Sequence, residues 1–124
     1  MDVDMWISSF KGWICGLILG VASAAVCAAS PQKILIVGDS LSAEYGLARG
    51  TGWVALLEKK LASEKINAVV VNASISGDTT SGGLSRLPAL LRVQKPTIVI
   101  IELGGNDALR GMAMAQTEKN FSQM

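Results

Sequence analysis

Three short apolar runs constrain the fold of this chain more than any other feature. Each is rich in β-branched residues, is continuous rather than alternating in hydrophobicity, and is followed within three residues by Gly or Asn; they are Ile34–Val37, Ala68–Val71 and Ile98–Ile101. Continuous apolar runs of this length are typical of strands that are buried on both faces of a parallel sheet. The sequence therefore predicts three buried strands.

The segment after the first run has the periodicity of a helix. Val54, Leu57 and Leu61 recur at the i, i+3, i+7 spacing, and charged residues lie between them. This spacing places one apolar stripe on a helix that packs against the sheet. Thr51 precedes the pattern and is the candidate N-cap, because a threonine hydroxyl can accept a hydrogen bond from a first-turn N–H group.

A second helical pattern follows the second run, where Leu84, Leu87 and Leu91 repeat the same spacing. Pro88 lies inside this pattern and lacks the N–H that a helix interior needs. Two alternatives stay open: the helix starts late, with Pro88 in its first turn and Ser85 as the cap, or Pro88 kinks a longer helix.

A last helix is predicted from near Gln116 to Met124, so strands and helices alternate three times along the chain. Such alternation favours the α/β class. We expect a doubly wound, three-layer α/β/α fold of the flavodoxin-like type. Its parallel sheet of three strands would be incomplete, because doubly wound domains usually carry about five or six.

An apolar segment without charges precedes the first strand. Residues 12–29 follow a lysine and end in small residues, which is the pattern of a secretory signal peptide. We expect residues 1–29 to be this signal, cleaved after Ala28 or Ala29, which makes the protein exported, either periplasmic or secreted. The alternative is an uncleaved membrane anchor, because the segment is close to the lower length limit for a spanning helix.

Composition excludes several classes of function. The formal net charge is +1, so the basic surface that nucleic-acid binding requires is not expected. The chain has no histidine, which excludes a histidine base or a histidine metal ligand from these residues. Both cysteines, Cys15 and Cys27, lie in the predicted signal peptide, so the mature chain has no thiol chemistry. No cofactor or metal is implied.

Polar loops rich in glycine follow all three predicted strands, and they are Gly38–Ser42, Asn72–Thr80 and Gly104–Asp107. In open α/β sheets, ligands bind outside the carboxyl ends of the strands. A serine on a tight strand-to-helix turn can attack an acyl carbonyl. A glycine N–H and an asparagine amide can stabilise the resulting oxyanion.

These loops resemble the conserved blocks of the GDSL, or SGNH, hydrolases. The first block is Gly38-Asp39-Ser40-Leu41, the second contains Gly77, and the third is Gly104-Gly105-Asn106-Asp107. The resemblance runs from about residue 33 to the end. It is strongest to the periplasmic multifunctional subgroup of acyl-CoA thioesterase I, lysophospholipase L1 and arylesterase. It implies that Ser40 is the nucleophile, and that its N–H, the Gly77 N–H and the Asn106 amide form the oxyanion hole.

The sequence departs from the family at the general base. The family uses a histidine in a C-terminal Asp-x-x-His block, and this chain ends before such a block. We therefore expect residues 30–124 to be the N-terminal part of a truncated serine ester or thioester hydrolase, with Ser40 as the site of acylation. We expect this chain to be inactive alone, to be monomeric, and to have small acyl esters or thioesters as its substrates.

Two other interpretations stay open. The first is a non-catalytic module that binds a small ligand or an anion at helix N-termini, although the chain has neither a Walker A motif nor a dinucleotide-binding glycine pattern. The second is an unstable gene remnant, because an unfinished sheet leaves a strand edge and an apolar face uncovered.

Several polar or flexible residues near the three loops have structural interpretations that compete with a catalytic one. Asp39 is predicted to stabilise its turn, Asp107 to order its loop, and Thr79, Thr80 or Ser81 to cap a helix. Asn72 is predicted to end its strand. Two methionines, Met112 and Met114, could line an acyl pocket or take part in ordinary packing.

Overall fold

The computed structural model describes residues 30–124. The predicted signal peptide, residues 1–29, therefore lies outside the described residues. Strands and helices alternate as the sequence predicts, with one additional short helix. The elements are β1 (Gln32–Gly38), α1 (Trp53–Ser63), β2 (Ala68–Asn72), α2 (Thr80–Gln94), β3 (Ile98–Glu102), α3 (Gly105–Leu109) and α4 (Met114–Gln123).

The three strands form one parallel sheet in the order β2-β1-β3. β1 pairs with both neighbours, and Leu35 at its middle lies opposite Val71 on β2 and Val99 on β3. This is the order of the first three strands of a flavodoxin-like sheet, in which the chain crosses β1 to reach the third strand. The prediction of a parallel three-stranded sheet is confirmed.

Helices cover both faces of β1, which makes three layers. Ile34 and Ile36 pack with Val54 of α1 on one face. Leu35 and Val37 pack with Leu87 of α2 on the opposite face. Because successive side chains of a strand point to opposite faces, burial on both faces requires an apolar residue at every position, and this explains the continuous apolar run.

The two outer strands are less buried than the sequence predicts. Ile98 and Val99 at the start of β3 are 44 % and 37 % exposed, and Val69 of β2 is 48 % exposed. Within residues 30–124, each outer strand has a paired neighbour on one side only. The prediction of burial on both faces is therefore correct for β1 and wrong for β2 and β3.

The predicted cap of α1 is wrong. The hydroxyl of Thr51 donates to the carbonyl of Ala48 at 2.6 Å, and the N-cap residue is Gly52, which has no side-chain cap. The Glu44 carboxylate instead accepts hydrogen bonds from the N–H groups of Gly50 and Gly52, and these bonds hold the pKa of Glu44 below its usual range. The loop before α1 is thus held by a residue eight positions upstream of the cap.

α2 begins at Thr80, eight residues before Pro88, so the alternative in which Pro88 lies in the first turn is wrong. Thr79 caps it by accepting a hydrogen bond from the Gly82 N–H at 3.3 Å, which confirms the capping prediction for this residue. Ser85 is not a cap, because its hydroxyl donates to the Gly82 carbonyl inside the helix. Pro88 lies in the helix interior rather than in the first turn.

The third loop contains a helix that periodicity did not predict. α3 spans only Gly105–Leu109, which is too short for an apolar stripe to repeat. α4 begins at Met114 rather than near Gln116, a difference of the size expected for helix ends.

Replacement of Leu35 tests the role of β1 as the centre of the core. Leu35 is fully buried, so Leu35→Ala is expected to lower the free energy of unfolding by about 2–5 kcal/mol through lost burial and a residual cavity. Val93→Ala is the matched control, because Val93 is 74 % exposed. Urea titration followed by circular dichroism measures both variants. Equal effects, or the lack of a cooperative transition in the unchanged chain, would contradict this packing.

Candidate active site

The loops after the three strands meet at one edge of the sheet, because parallel strands end on the same side. A depression of about 160 Å³ lies there. It is lined by Asp39, Ser40, Leu41, Gly105, Asn106 and Leu109. The structure thus brings Ser40 and Asn106 to one cavity. Gly77 is not among the lining residues, but the next residue of its loop, Asp78, accepts a hydrogen bond from the Asn106 amide through its carbonyl.

Ser40 lies at the start of a tight turn that leaves β1. The Asp39 carboxylate accepts a hydrogen bond from the Leu41 N–H at 3.0 Å, and the Ser40 carbonyl accepts one from the Tyr45 N–H at 3.1 Å. The predicted role of Asp39 in stabilising its turn is confirmed. Among the described residues, the Ser40 hydroxyl has no hydrogen-bond partner, so no side chain there is placed to take its proton.

Ser42 fastens this turn to the sheet, a role that sequence reasoning missed. Its buried hydroxyl donates to Glu102 at 2.8 Å and accepts from the Trp53 indole at 3.0 Å, while its carbonyl accepts from the Asn72 amide at 2.7 Å. Asn72 therefore does more than end its strand. Gly38 must lack a side chain here, because a Cβ would lie 2.6 Å from the Ser42 hydroxyl.

The loop that carries Gly77 is held by two arginines. Gly77 has φ +81°, a conformation that favours glycine, and its carbonyl accepts a hydrogen bond from Arg110 at 2.8 Å. The next residue, Asp78, forms a salt bridge with Arg86 at 2.8 Å. Arg86 also donates to the carbonyl of Ala73. Sequence reasoning missed both arginines, since neither lies in a recognised block.

Asn106 connects the three loops. Its side-chain nitrogen donates to the Asp39 carboxylate at 3.1 Å and to the Asp78 carbonyl at 2.9 Å. One residue after β3 therefore contacts the loop after β1 and the loop after β2. Both hydrogens of this amide are engaged in these bonds, and Asn106 lines the same depression as Ser40.

Asp107 anchors the third loop in the protein interior, which confirms its predicted ordering role. It is 1 % exposed and accepts hydrogen bonds from the Thr80 N–H at 2.9 Å and the Thr80 hydroxyl at 2.5 Å. The Asn120 amide of α4 donates to the same Thr80 hydroxyl. Burial would raise the pKa of Asp107, but the hydrogen bonds from Thr80 outweigh it and hold that pKa below its usual range.

The surroundings of the depression are apolar and open. Leu41 and Leu109, which line it, are 69 % and 86 % exposed. Met112 and Met114 do not line it and are 38 % and 78 % exposed. The suggestion that these methionines line an acyl pocket is therefore not supported for this cavity, and Met114 does not pack in the core either.

Across residues 30–124, no cluster of three or more His, Cys, Asp or Glu side chains is arranged to hold a metal ion. None of the helices in this part of the chain has the length and hydrophobicity that crossing a membrane requires.

Comparison with known proteins identifies the family. The model of the GDSL-like lipase/acylhydrolase family matches residues 36–124, and the chain belongs to this family. Esterase TesA of Pseudomonas aeruginosa is 62 % identical over 96 residues, which are 77 % of this chain and 48 % of that protein. Thioesterase 1/protease 1/lysophospholipase L1 of Escherichia coli is 52 % identical over 97 residues, which are 78 % of this chain and 45 % of that protein.

A solved structure shows the same fold. AlinE4, an esterase of the SGNH-hydrolase family, superimposes with a TM-score of 0.71 at 47 % identity, over 76 % of this chain and 51 % of that one. The prediction of an α/β three-layer SGNH fold is confirmed. The chain spans about half the length of the curated relatives that it matches.

The buried Asp107 carboxylate makes stability depend on pH in a defined direction. Asp107→Asn is expected to cost about 1–3 kcal/mol at pH 7, because an amide offers a single acceptor oxygen and leaves one of the two Thr80 donors facing an amide nitrogen. The lowered pKa means that the carboxylate stabilises the fold fully above the unfolded-state pKa of about 3.9. That stabilisation is lost as the pH falls through the folded-state value. The two free energies of unfolding should therefore converge below about pH 4.

Denaturant unfolding between neutral and acidic pH measures this convergence. Glu118→Gln changes an exposed carboxylate on α4 and should leave the free energy of unfolding at pH 7 unchanged. A difference between the unchanged chain and Asp107→Asn that stays constant down to the lowest pH would contradict the role of the ionised carboxylate.

Proposed function

We propose that the described residues carry the nucleophile and oxyanion-binding part of a serine ester or thioester hydrolase. The observation that carries this proposal is the shared depression, in which Ser40 and the amide of Asn106 lie together at the carboxyl end of β1. Gly77 would contribute its N–H from the neighbouring loop, which the Asn106 bond to Asp78 keeps close.

The chemistry proceeds through an acyl-enzyme. The Ser40 oxygen attacks the carbonyl carbon of the ester or thioester while a general base takes its proton. The tetrahedral oxyanion is held by the N–H groups of Ser40 and Gly77 and by the Asn106 amide. The alcohol or thiol then leaves with a proton, and water hydrolyses the acyl-enzyme. Water is the only co-reactant, so no metal or cofactor is needed.

We propose that the base is not among these 124 residues. The chain has no histidine, and each carboxylate near the turn is already engaged in hydrogen bonds: Asp39 with Leu41 and Asn106, and Glu102 with Ser42. A serine without a base retains only the residual rate that comes from binding and from the oxyanion hole. We therefore expect the chain alone to be nearly inactive.

The surroundings of Ser40 favour a substrate with an apolar acyl group. Leu41 and Leu109 are exposed beside the depression and would be covered by such a group, which gains free energy through burial. The relatives named esterase and thioesterase support an ester or thioester. We further propose that the protein is exported and acts as a monomer, with residues 1–29 as its cleaved signal.

An esterase assay with an added base tests the proposal. Imidazole can stand in for a missing histidine side chain. Hydrolysis of p-nitrophenyl butyrate in imidazole buffer should therefore be faster with the chain present than in the same buffer without protein. Ser40→Ala should remove this increment. Ser76→Ala, which changes an exposed serine on the neighbouring loop, should retain it.

A fusion provides the second measurement. Residues 30–124 are joined to the part of Pseudomonas aeruginosa TesA that the match leaves uncovered. The fusion protein should hydrolyse the same ester without imidazole, and Ser40→Ala should abolish this activity. Full activity of the unfused chain would show that the base is present after all. Tight phosphate binding with no serine-dependent activity in either assay would favour the anion-binding module.

A further inference from the structure

The amide of Asn106 has no free hydrogen in this structure. A primary amide nitrogen carries two hydrogens, and this one donates to the Asp39 carboxylate at 3.1 Å and to the Asp78 carbonyl at 2.9 Å. The proposed oxyanion donor is therefore held between two acceptors on two different loops, and its orientation depends on both.

Only one of the two acceptors, the Asp39 carboxylate, belongs to a residue that lines the depression. Asp39 lines the depression together with Ser40 and Asn106, whereas Asp78 does not. The hydrogen that faces Asp39 is therefore the one that borders the cavity. A substrate oxygen in the depression would meet this hydrogen, while the bond to Asp78 lies outside the lining.

Asp39 is also rigidly held. It is 3 % exposed, and its second carboxylate oxygen accepts the Leu41 N–H at 3.0 Å. A buried carboxylate whose two oxygens have separate donors cannot turn without losing one of them. Its bond to Asn106 is charge-assisted, and such bonds are stronger than the neutral bond to the Asp78 carbonyl.

We propose that Asp39 is a positioning residue, whose carboxylate aims the Asn106 amide into the depression beside Ser40. When the substrate carbonyl becomes an oxyanion, it takes over the hydrogen that Asp39 holds, so one anionic acceptor replaces another. The bond to Asp39 orients the Asn106 amide before substrate arrives. Such orientation in advance is the condition for effective oxyanion stabilisation. This inference rests on the proposed function, in which Asn106 binds the oxyanion.

The variant Asp39→Asn removes the hydrogen bond to Asn106 and keeps the one from the Leu41 N–H. An asparagine keeps an oxygen for the Leu41 N–H, but its amide hydrogens then face those of Asn106, so the bond to Asn106 is lost. If Asp39→Asn does not fold, Asp39→Ser serves instead, because its hydroxyl can accept from Leu41 and is too short to reach Asn106.

Nuclear magnetic resonance of the full chain gives a readout that needs no catalysis. Both Asn106 side-chain amide protons should be protected from exchange with water in the unchanged chain. In Asp39→Asn, both should lose protection, because the amide swings away from Asp78 as well. If the proton that faces Asp78 keeps its protection, Asp78 alone holds the amide and the proposal is wrong.

Kinetics in the imidazole-supported assay give the second readout. Asp39→Asn should lower kcat by roughly 10- to 100-fold through misplacement of the donor, with KM nearly unchanged, and Asn106→Ala should lower it by roughly 10²- to 10³-fold. The double variant should be no slower than Asn106→Ala, because Asp39 acts only through Asn106. Multiplicative losses would show an independent role for Asp39 and overturn the proposal.

The two readouts separate this proposal from the proposed function. Absence of any Ser40-dependent hydrolysis, in the chain with imidazole and in the fusion, would refute the hydrolase assignment. The exchange measurement would still decide whether Asp39 orients Asn106.

Discussion

The burial of β1 between two strands and two layers of helices is the constraint on which the rest of the structure depends. Leu35, Ile36 and Val37 are 0 % exposed, and β1 is held on both faces by helices and on both edges by its pairing with β2 and β3. Its end is therefore fixed in space. Ser40, two residues beyond that end, takes its position from the best-packed element of the described chain.

Hydrogen bonds around the depression hold its loops together. Asp39, Asp78 and Asp107 each bind a donor from a different segment, namely Asn106, Arg86 and Thr80. These contacts tie three loops that are far apart in sequence into one rigid edge. Such rigidity suits oxyanion stabilisation, which requires donors that do not reorganise during reaction. Within residues 30–124, the carboxylates of Asp39, Asp78 and Asp107 are all engaged in these bonds.

The sequence predicted most of the fold because the strongest local signals agree with the tertiary structure. The apolar run at β1 follows from burial on both faces, and the pattern of α2 follows from the contact of Leu87 with the sheet, although Leu91 of the same pattern is 38 % exposed. The cap of α1 could not be predicted, because Glu44 reaches it through a loop whose path depends on backbone conformation. α3 was missed because five residues are too few to show a period.

The candidate site was predicted in part, through its motifs. Ser40, Gly77 and Asn106 lie in blocks with recognisable spacing, and the structure brings Ser40 and Asn106 to one depression. The contacts of Arg86 and Arg110 could not be predicted, because each depends on which loops meet at the edge of the sheet. The two hydrogen bonds of the Asn106 amide could not be predicted either, because they join distant segments; Asp39 is 67 residues from Asn106 in the sequence.

We propose that Ser40 is a nucleophile in a preformed site. Mass spectrometry of the chain after incubation with a fluorophosphonate and imidazole tests it most directly. A single adduct that peptide mapping assigns to Ser40, and that disappears when the chain is unfolded before labelling, is the predicted result. Labelling of the folded chain at other serines, with Ser40 unmodified, would contradict the account.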